Sequence, residues 1–230
     1  MDKEPGPKEG PKSEDITETP SSDDVCVVCC EPLIYVSIGS CNHPLVCSLC
    51  SLKLRILEKD SHCIYCKTPQ ERVFFSSNKY RKYESFQTYG DIAGPDLIYD
   101  DDGEAFFDKA GNGIQHHEKM LALRELRCGI PDCEGNNSPF ASKPKLDEHL
   151  LKNHKLHLCK LCWEFRRLFP MEQIRYTSTQ LQVHIEKGDK KEGMRGHPMC
   201  KFCKKRYYND DLLYKHLNKD HETCHICRRQ

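Results

Sequence analysis

Sixteen cysteines and twelve histidines, in 230 residues of which only 37% are apolar, predict a chain of small zinc-stabilised α+β modules. The low apolar fraction disfavours one large hydrophobic core, and metal binding supplies the folding free energy that small cores lack. The first 24 residues lack the apolar segment of a secretory signal. We therefore expect a reducing compartment, in which closely spaced cysteines bind metal rather than form disulfides.

Composition divides the chain before any motif is considered. Residues 1–24, rich in Pro, Gly, Ser and acidic side chains, are expected to form a disordered acidic tail. Residues 25–70 hold the first cysteine block, and residues 71–127, which contain no cysteine, are expected to form a spacer. Within the spacer, apolar residues on both sides of Asp102-Gly103 predict a β-hairpin, and residues 114–127 predict a helix. No stretch has the apolar length of a transmembrane helix, so no membrane partner is expected.

The zero net charge conceals an asymmetry between the two ends of the chain. Residues 1–24 hold eight acidic side chains against three lysines, whereas the chain from His116 onward holds 23 basic against 15 acidic side chains, a net of +8. An excess of positive charge indicates an anionic partner for the second half, or simply a solvated surface.

The first cysteine block contains enough ligands for two tetrahedral zinc sites. In chain order these ligands are Cys26, Cys29, Cys41, His43, Cys47, Cys50, Cys63 and Cys66. They form four closely spaced pairs, which can be shared between two ions sequentially or in an interleaved order. Cys30 remains as a spare or buried thiol rather than a ligand.

The short Cys41-x-His43 pair within this block resembles the RING domain, in which the first and third pairs share one ion and the second and fourth share the other. The resemblance implies one zinc ion on Cys26, Cys29, Cys47 and Cys50. It implies a second on Cys41, His43, Cys63 and Cys66. The segment Ser48–Lys59 would then form the short RING helix, with one apolar face turned inward.

Most RING domains recruit a ubiquitin-conjugating enzyme and orient its thioester-linked ubiquitin, so no residue is expected to act as a covalent catalyst. The resemblance implies that the contact positions are Val28, Leu54, Ile64 and Lys67. Many RING ligases have proline where this chain has Ile64. The first three of these residues could instead form a small apolar core.

Residues 128–227 contain four further cysteine pairs, which predict an irregular row of C₂H₂-type ββα fingers. Finger 1, residues 128–154, has the ligands Cys128, Cys133, His149 and His154. Finger 3, residues 200–221, has the ligands Cys200, Cys203, His216 and His221. Finger 2, residues 159–197, has Cys159, Cys162 and His184, with His197 or, less favourably, His157 as the fourth ligand. A fourth finger, residues 224–230, has only Cys224 and Cys227, with His225 badly placed, so the chain is expected to be a fragment of a longer protein.

The fingers do not have the pattern of an array that reads duplex DNA. The usual central and last base-reading positions hold Leu212 in finger 3 and Glu148 in finger 1, which are poor contacts for base pairs. Only two residues separate His197 from Cys200, which is too short for the regular linker of a groove-tracking array. We expect packed fingers that bind a protein or structured RNA surface.

The order of these modules resembles the family of ubiquitin ligases that sense collided ribosomes and start ribosome-associated quality control. Cys26–Cys30, Cys41–Pro44 and the stretch Arg195–Cys203 carry this resemblance. It implies a cytoplasmic enzyme that transfers ubiquitin from a charged conjugating enzyme to small-subunit ribosomal proteins, with ribosomal RNA as a further candidate partner. The competing interpretations are a nucleic-acid-binding regulator without ligase activity and a zinc-structured adaptor that binds protein only.

Overall fold

The computed structural model of the protein describes residues 24–86, 88–89 and 92–221. The predicted acidic tail, except for Asp24, and the Cys224–Cys227 pair with His225 lie outside these residues. The helices are α1 (Ser48–Leu57), α2 (Gly113–Arg124), α3 (Lys143–His149), α4 (Lys160–Phe165), α5 (Ser178–Lys187) and α6 (Asp210–Asp220). The strands are β1 (Val36–Ile38), β2 (Val73–Ser76), β3 (Thr88–Tyr89), β4 (Ile92–Ala93), β5 (Leu97–Asp100), β6 (Ala105–Asp108), β7 (Leu156–Leu158) and β8 (Arg175–Thr177). Within the described ranges, no helix combines the length and apolar character needed to cross a membrane.

The largest layer is a four-stranded sheet with the strand order β1-β2-β6-β5. Its outer pairs are antiparallel, whereas β2 and β6 run parallel at its centre. Strand β1 belongs to the first cysteine block, but the other three strands come from residues 71–127. Those residues therefore extend the sheet of the RING module, and they do not form the separate spacer that their lack of cysteine predicts.

The predicted hairpin is formed by β5 and β6, whose register pairs Asp100 with Ala105. The connecting turn spans four residues, and its last residue, Glu104, has a φ of 47°. The Asp-Gly pair thus occupies the middle of a longer turn. The helix that follows, α2, ends at Arg124, three residues before the predicted end.

Apolar side chains pack on both faces of this sheet, because alternate strand residues point in opposite directions. On one face, side chains of β2 and β6 pack against α1, α2 and one residue of the finger half. This cluster consists of Leu52, Val73, Phe75, Ala105, Phe107, Met120 and Phe169. The opposite cluster is Val36, Ile38, Phe74, Phe86, Leu97 and Phe106. Every residue of β2 and β6 is buried, as expected for central strands covered on both faces.

The finger modules keep their ligand-bearing helices but have little strand structure. In finger 3 the expected hairpin is reduced to a single bridge between Met199 and Arg206. In finger 2 the strands β7 and β8 pair antiparallel, but β7 precedes the cysteines and α4 lies between the strands. The zinc ions that the sequence predicts would hold these short segments without the cross-strand pairing that a free hairpin needs.

Candidate metal centres and docking face

The eight ligands of the first block form two clusters in the interleaved order. RING site 1 consists of Cys26, Cys29, Cys47 and Cys50, and RING site 2 of Cys41, His43, Cys63 and Cys66. In site 1 the sulfur atoms of Cys29 and Cys47 are 3.9 Å apart, and in site 2 the Cys63 sulfur is 3.8 Å from His43 Nδ1. The sequential pairing that spacing alone left open is not adopted.

The surroundings of the RING thiols shift their pKa values in opposite directions. A hydrogen bond with the Cys50 side chain lowers the pKa of Cys47 to about 5, whereas burial raises the pKa of Cys41 to about 11. Cys41 also lies 3.5 Å from Nε2 of the buried Gln70, which donates to its sulfur. Because zinc binds the deprotonated thiol, ion binding at site 2 must release protons.

The three predicted fingers also bring their ligands together. In each of the five clusters, the candidate donor atoms lie within 4.8 Å of one another. Finger 1 has Cys133 Sγ 3.3 Å from His149 Nε2, finger 2 has Cys159 Sγ 3.2 Å from His197 Nε2, and finger 3 has Cys203 Sγ 3.3 Å from His216 Nε2.

The separations in the fingers, 3.2–3.3 Å, are about 0.3 Å or less below those around a tetrahedral zinc ion. Zinc–sulfur bonds of about 2.3 Å and zinc–nitrogen bonds of about 2.0 Å place two ligands about 3.5–3.8 Å apart. The donor set of two or more thiols completed by imidazole or further thiols is also the set that structural zinc sites use. The Cys and His clusters are therefore zinc-binding sites of the structural type.

Irregular backbone conformations bring each pair of histidines to one site, although the two histidines are five residues apart in sequence. His149 and His154 are five residues apart, and the π-helical turn Leu150–His154 turns both towards the same side. His216 lies in α6, whereas His221 follows the last helical residue in an extended conformation, with φ at −128°. Neither pair therefore lies on one regular helix.

Finger 2 uses His197 rather than His157 as its fourth ligand. His157 Nε2 lies 3.0 Å from the Ser178 hydroxyl and takes no part in the cluster. The loop that delivers His197 passes so close to the end of α5 that a Cβ on Gly196 would lie 2.2 Å from the Glu186 carbonyl. Gly188, with φ at 80°, opens this loop.

Carboxylate groups fix the orientation of two zinc-binding imidazoles. Asp189 Oδ2 lies 2.8 Å from His184 Nδ1 and accepts a 2.6 Å hydrogen bond from the Tyr176 hydroxyl. Asp220 Oδ2 lies 2.8 Å from His216 Nδ1. With Nδ1 held in this way, Nε2 is left to face the ion. Cysteine spacing gives no signal for these outer partners, although Asp220 lies four residues after His216 on the same helix.

The four predicted docking residues are accessible to different extents. Val28 is 43% exposed and Ile64 37% exposed, and Leu54 is half-buried outside the two sheet clusters. Leu54 and Ile64 both line the cavity around RING site 2, which also contains Cys41, His43 and Cys63, and Val28 is not part of its lining. Lys67 is exposed, with φ at 59°, directly after Cys66. The small-core interpretation therefore does not describe Val28 or Ile64.

A buried arginine that sequence reasoning missed joins the RING helix to the hairpin. Arg55 donates to the carbonyl oxygens of Gly103 at 2.6 Å, Gln70 at 2.8 Å and Glu71 at 2.6 Å. Burial lowers the pKa of its guanidinium, and the ion pair with Glu104 opposes that shift. In the sequence, Arg55 stands among apolar residues of α1 and looks like an ordinary surface arginine.

Comparisons with known proteins agree with this geometry. Residues 21–92 match the ZNF598 RING finger domain. The chain is 34% identical over 209 residues to the E3 ubiquitin-protein ligase ZNF598 of Danio rerio, covering 90% of this chain and 20% of that protein. It is 33% identical over 218 residues to the E3 ubiquitin-protein ligase HEL2 of Saccharomyces cerevisiae, covering 91% of this chain and 31% of that protein.

The human E3 ubiquitin-protein ligase ZNF598 is 33% identical over 203 residues, which cover 88% of this chain and 21% of the human protein. The chain thus spans between a fifth and a third of the length of these curated relatives. No solved structure matches it.

Proposed function

The chain belongs to the family of ZNF598 and Hel2, and we propose that it is a RING-type ubiquitin ligase that receives a charged ubiquitin-conjugating enzyme. The observation that carries the proposal is the interleaved pair of RING zinc sites beside an accessible apolar face, in a chain similar to named ubiquitin ligases over nine tenths of its length. The RING implies the conjugating enzyme as partner.

In this mechanism the RING contributes orientation rather than covalent chemistry. The zinc ions would hold the two ligand loops, so that Val28, Leu54 and Ile64 present a fixed surface to the conjugating enzyme. Lys67, at the end of the second loop, would help to restrain the thioester-linked ubiquitin. The amine of an acceptor lysine would then attack the thioester carbonyl and form an amide bond, while the carbon–sulfur bond breaks and the cysteine of the conjugating enzyme leaves as a thiol. The gain in rate comes from the reduced freedom of the reactants.

We further propose that the acceptors are small-subunit ribosomal proteins on stalled or collided ribosomes, in the cytoplasm. Support comes from the family resemblance of the stretches Cys26–Cys30 and Arg195–Cys203, and from the net charge of +8 after residue 115. Positive charge favours a polyanionic particle such as a ribosome. In this scheme the fingers bind the substrate particle and the RING supplies ubiquitin.

A reconstituted reaction tests the proposal. Zinc-loaded chain, ubiquitin, activating enzyme and a panel of conjugating enzymes are incubated with purified ribosomes, and modified lysines are identified by mass spectrometry. We expect ubiquitin on small-subunit proteins, with collided ribosomes modified more than single ones. Ubiquitin transfer that leaves the ribosomal proteins unmodified would overturn the substrate assignment alone. The absence of transfer with every conjugating enzyme would overturn the ligase assignment.

A further inference from the structure

A segment of finger 2 enters the core of the RING module. Phe169, between the cysteine pair and the histidines of finger 2, is only 2% exposed and packs in the cluster that contains Leu52 of α1 and Phe107 of β6. The short helical turn Pro170–Glu172 that follows lies against α2. We call residues 168–173 the bracing segment, because they join finger 2 to the RING helix α1, which lies more than a hundred residues earlier in the sequence.

Glu172 fixes both the shape of the bracing segment and its position on the RING helix. Its Oε2 accepts a hydrogen bond from the Phe169 backbone nitrogen at 2.9 Å, which closes the turn. Its Oε1 forms a 2.6 Å ion pair with Lys53 on α1, and the two side chains are only 24% and 19% exposed. An ion pair sheltered to this degree is screened less than a fully exposed one.

Arg175 continues the connection to finger 1. Its Nη1 donates to the carbonyl oxygen of Gln173 at 2.6 Å, and its Nε donates to the carbonyl oxygen of Cys128 at 3.1 Å. Cys128 is the first ligand of finger 1. Contacts therefore run without interruption from the RING helix, through the bracing segment, to the finger array.

The RING helix α1 carries both a proposed docking residue and the contacts to the bracing segment. Leu52 packs in one cluster with Phe169 and Lys53 pairs with Glu172, whereas the next residue, Leu54, is a proposed contact for the conjugating enzyme. A shift of the bracing segment along α1 would therefore change the angle between the proposed docking face and the fingers.

We propose that the bracing segment sets the orientation of the RING relative to the fingers, and that Phe169 and Glu172 are positioning residues that decide which substrate lysines receive ubiquitin. The inference rests on the proposed ligase function. A RING that works by orientation places ubiquitin at one point in space. If the fingers hold the substrate, the angle fixed by the brace selects the lysines within reach.

The test uses charge reversal and rescue in the full chain. Glu172→Lys should leave zinc content as in the wild type, because Glu172 belongs to none of the five ligand clusters. It should also leave the discharge of a ubiquitin thioester to free lysine unchanged, because that reaction needs the RING but not a substrate held by the fingers. It should change the set of modified lysines on ribosomes. The double variant Lys53→Glu with Glu172→Lys should shift that set back towards the wild type, because it re-forms the ion pair, although a lysine at position 172 cannot accept the Phe169 hydrogen bond. A purely structural role would lower yield at every lysine alike, without changing the pattern.

A matched control lies at the ends of the same two elements: Glu58 caps α1, and Arg167 directly precedes the bracing segment. Arg167 and Glu58 are 3.2 Å apart, but their side chains are 61% and 42% exposed. Exposed pairs contribute little, so Arg167→Glu should leave the lysine pattern unchanged. An unchanged pattern in Glu172→Lys, failed restoration by the double variant, or an equal shift in Arg167→Glu would each overturn the proposal.

Two further readouts separate this proposal from the proposed function. If the wild type leaves ribosomes unmodified, the substrate assignment fails, and the pattern of self-modified lysines replaces the ribosomal one with the same expected shift and rescue. Amide hydrogen exchange tests the brace without any ubiquitin transfer: Glu172→Lys should increase exchange in α1 and the bracing segment. Unchanged exchange in both would overturn the brace itself.

Discussion

The RING half and the finger half of this chain are held together in different ways. In the RING half, two apolar clusters cover the faces of a four-stranded sheet, and none of the eight described RING ligands belongs to either cluster. In the finger half, the ligands are themselves core residues: Cys128 lies in one cluster, and Cys159 and Cys162 in another. Loss of zinc should therefore disrupt the core of a finger, whereas in the RING half it should disrupt only the ligand loops and leave the sheet folded.

The largest expected effect comes from removing a ligand in each half. Cys162→Ser should cost one zinc ion of the five that we expect per chain and unfold finger 2, because the free energy of zinc binding is its folding free energy. Cys29→Ser should also cost one ion, but the sheet should keep its hydrogen-exchange protection. Zinc analysis with hydrogen exchange measures both. Equal loss of protection throughout the two modules would break the comparison.

The joint between the halves gives the next effect. Phe169→Ala empties a fully buried site and should destabilise the chain by about 3–5 kcal/mol, the usual cost of a buried Phe→Ala change. Denaturant unfolding of the zinc-loaded protein measures it. The matched control is Phe165→Ala in the same finger, whose ring is 37% exposed and should cost much less. If Phe169→Ala lowered the free energy of unfolding no more than Phe165→Ala, the contact between the two halves would add little stability.

An outer partner of a finger ligand should have a smaller effect. Asp189→Ala removes the carboxylate that orients His184, and zinc affinity at finger 2 should fall about 10–100-fold. Competition with a chromophoric chelator measures the affinity of each site. Asp211→Ala, an exposed acid at the start of α6, serves as the control and should leave all affinities unchanged.

A pH effect is expected in the RING half. His116 stacks on Tyr35 and lies 2.7 Å from the Ser48 hydroxyl, and burial lowers its pKa to about 4. Between the ordinary histidine value of about 6.5 and about 4, the unfolded chain binds a proton that the folded chain does not, so stability falls as the pH falls. Wild type should therefore lose more stability than His116→Gln between neutral pH and the lower end of this window. A constant difference between the two proteins would refute this origin.

The sequence was informative wherever ligands follow one another at short spacing. Each predicted set of four comes together in the structure, and the glycines that admit His197 were present in the sequence although their role was not recognised. The brace at Phe169, the carbonyl contacts of Arg55 and those of Arg175 were missed. These side chains satisfy partners far away in the chain, and no local period or spacing records such contacts.

The central claim is that the RING uses its exposed face to activate a charged conjugating enzyme. The variant that tests it most directly, Val28→Ala, should change the structure least. The measurement is single-turnover discharge of a ubiquitin thioester to free lysine, with and without the chain. Wild type should accelerate discharge, whereas Val28→Ala should lose much of the acceleration with all zinc retained, because its side chain is 43% exposed. Failure of the zinc-loaded wild type to accelerate discharge from any conjugating enzyme would contradict the claim.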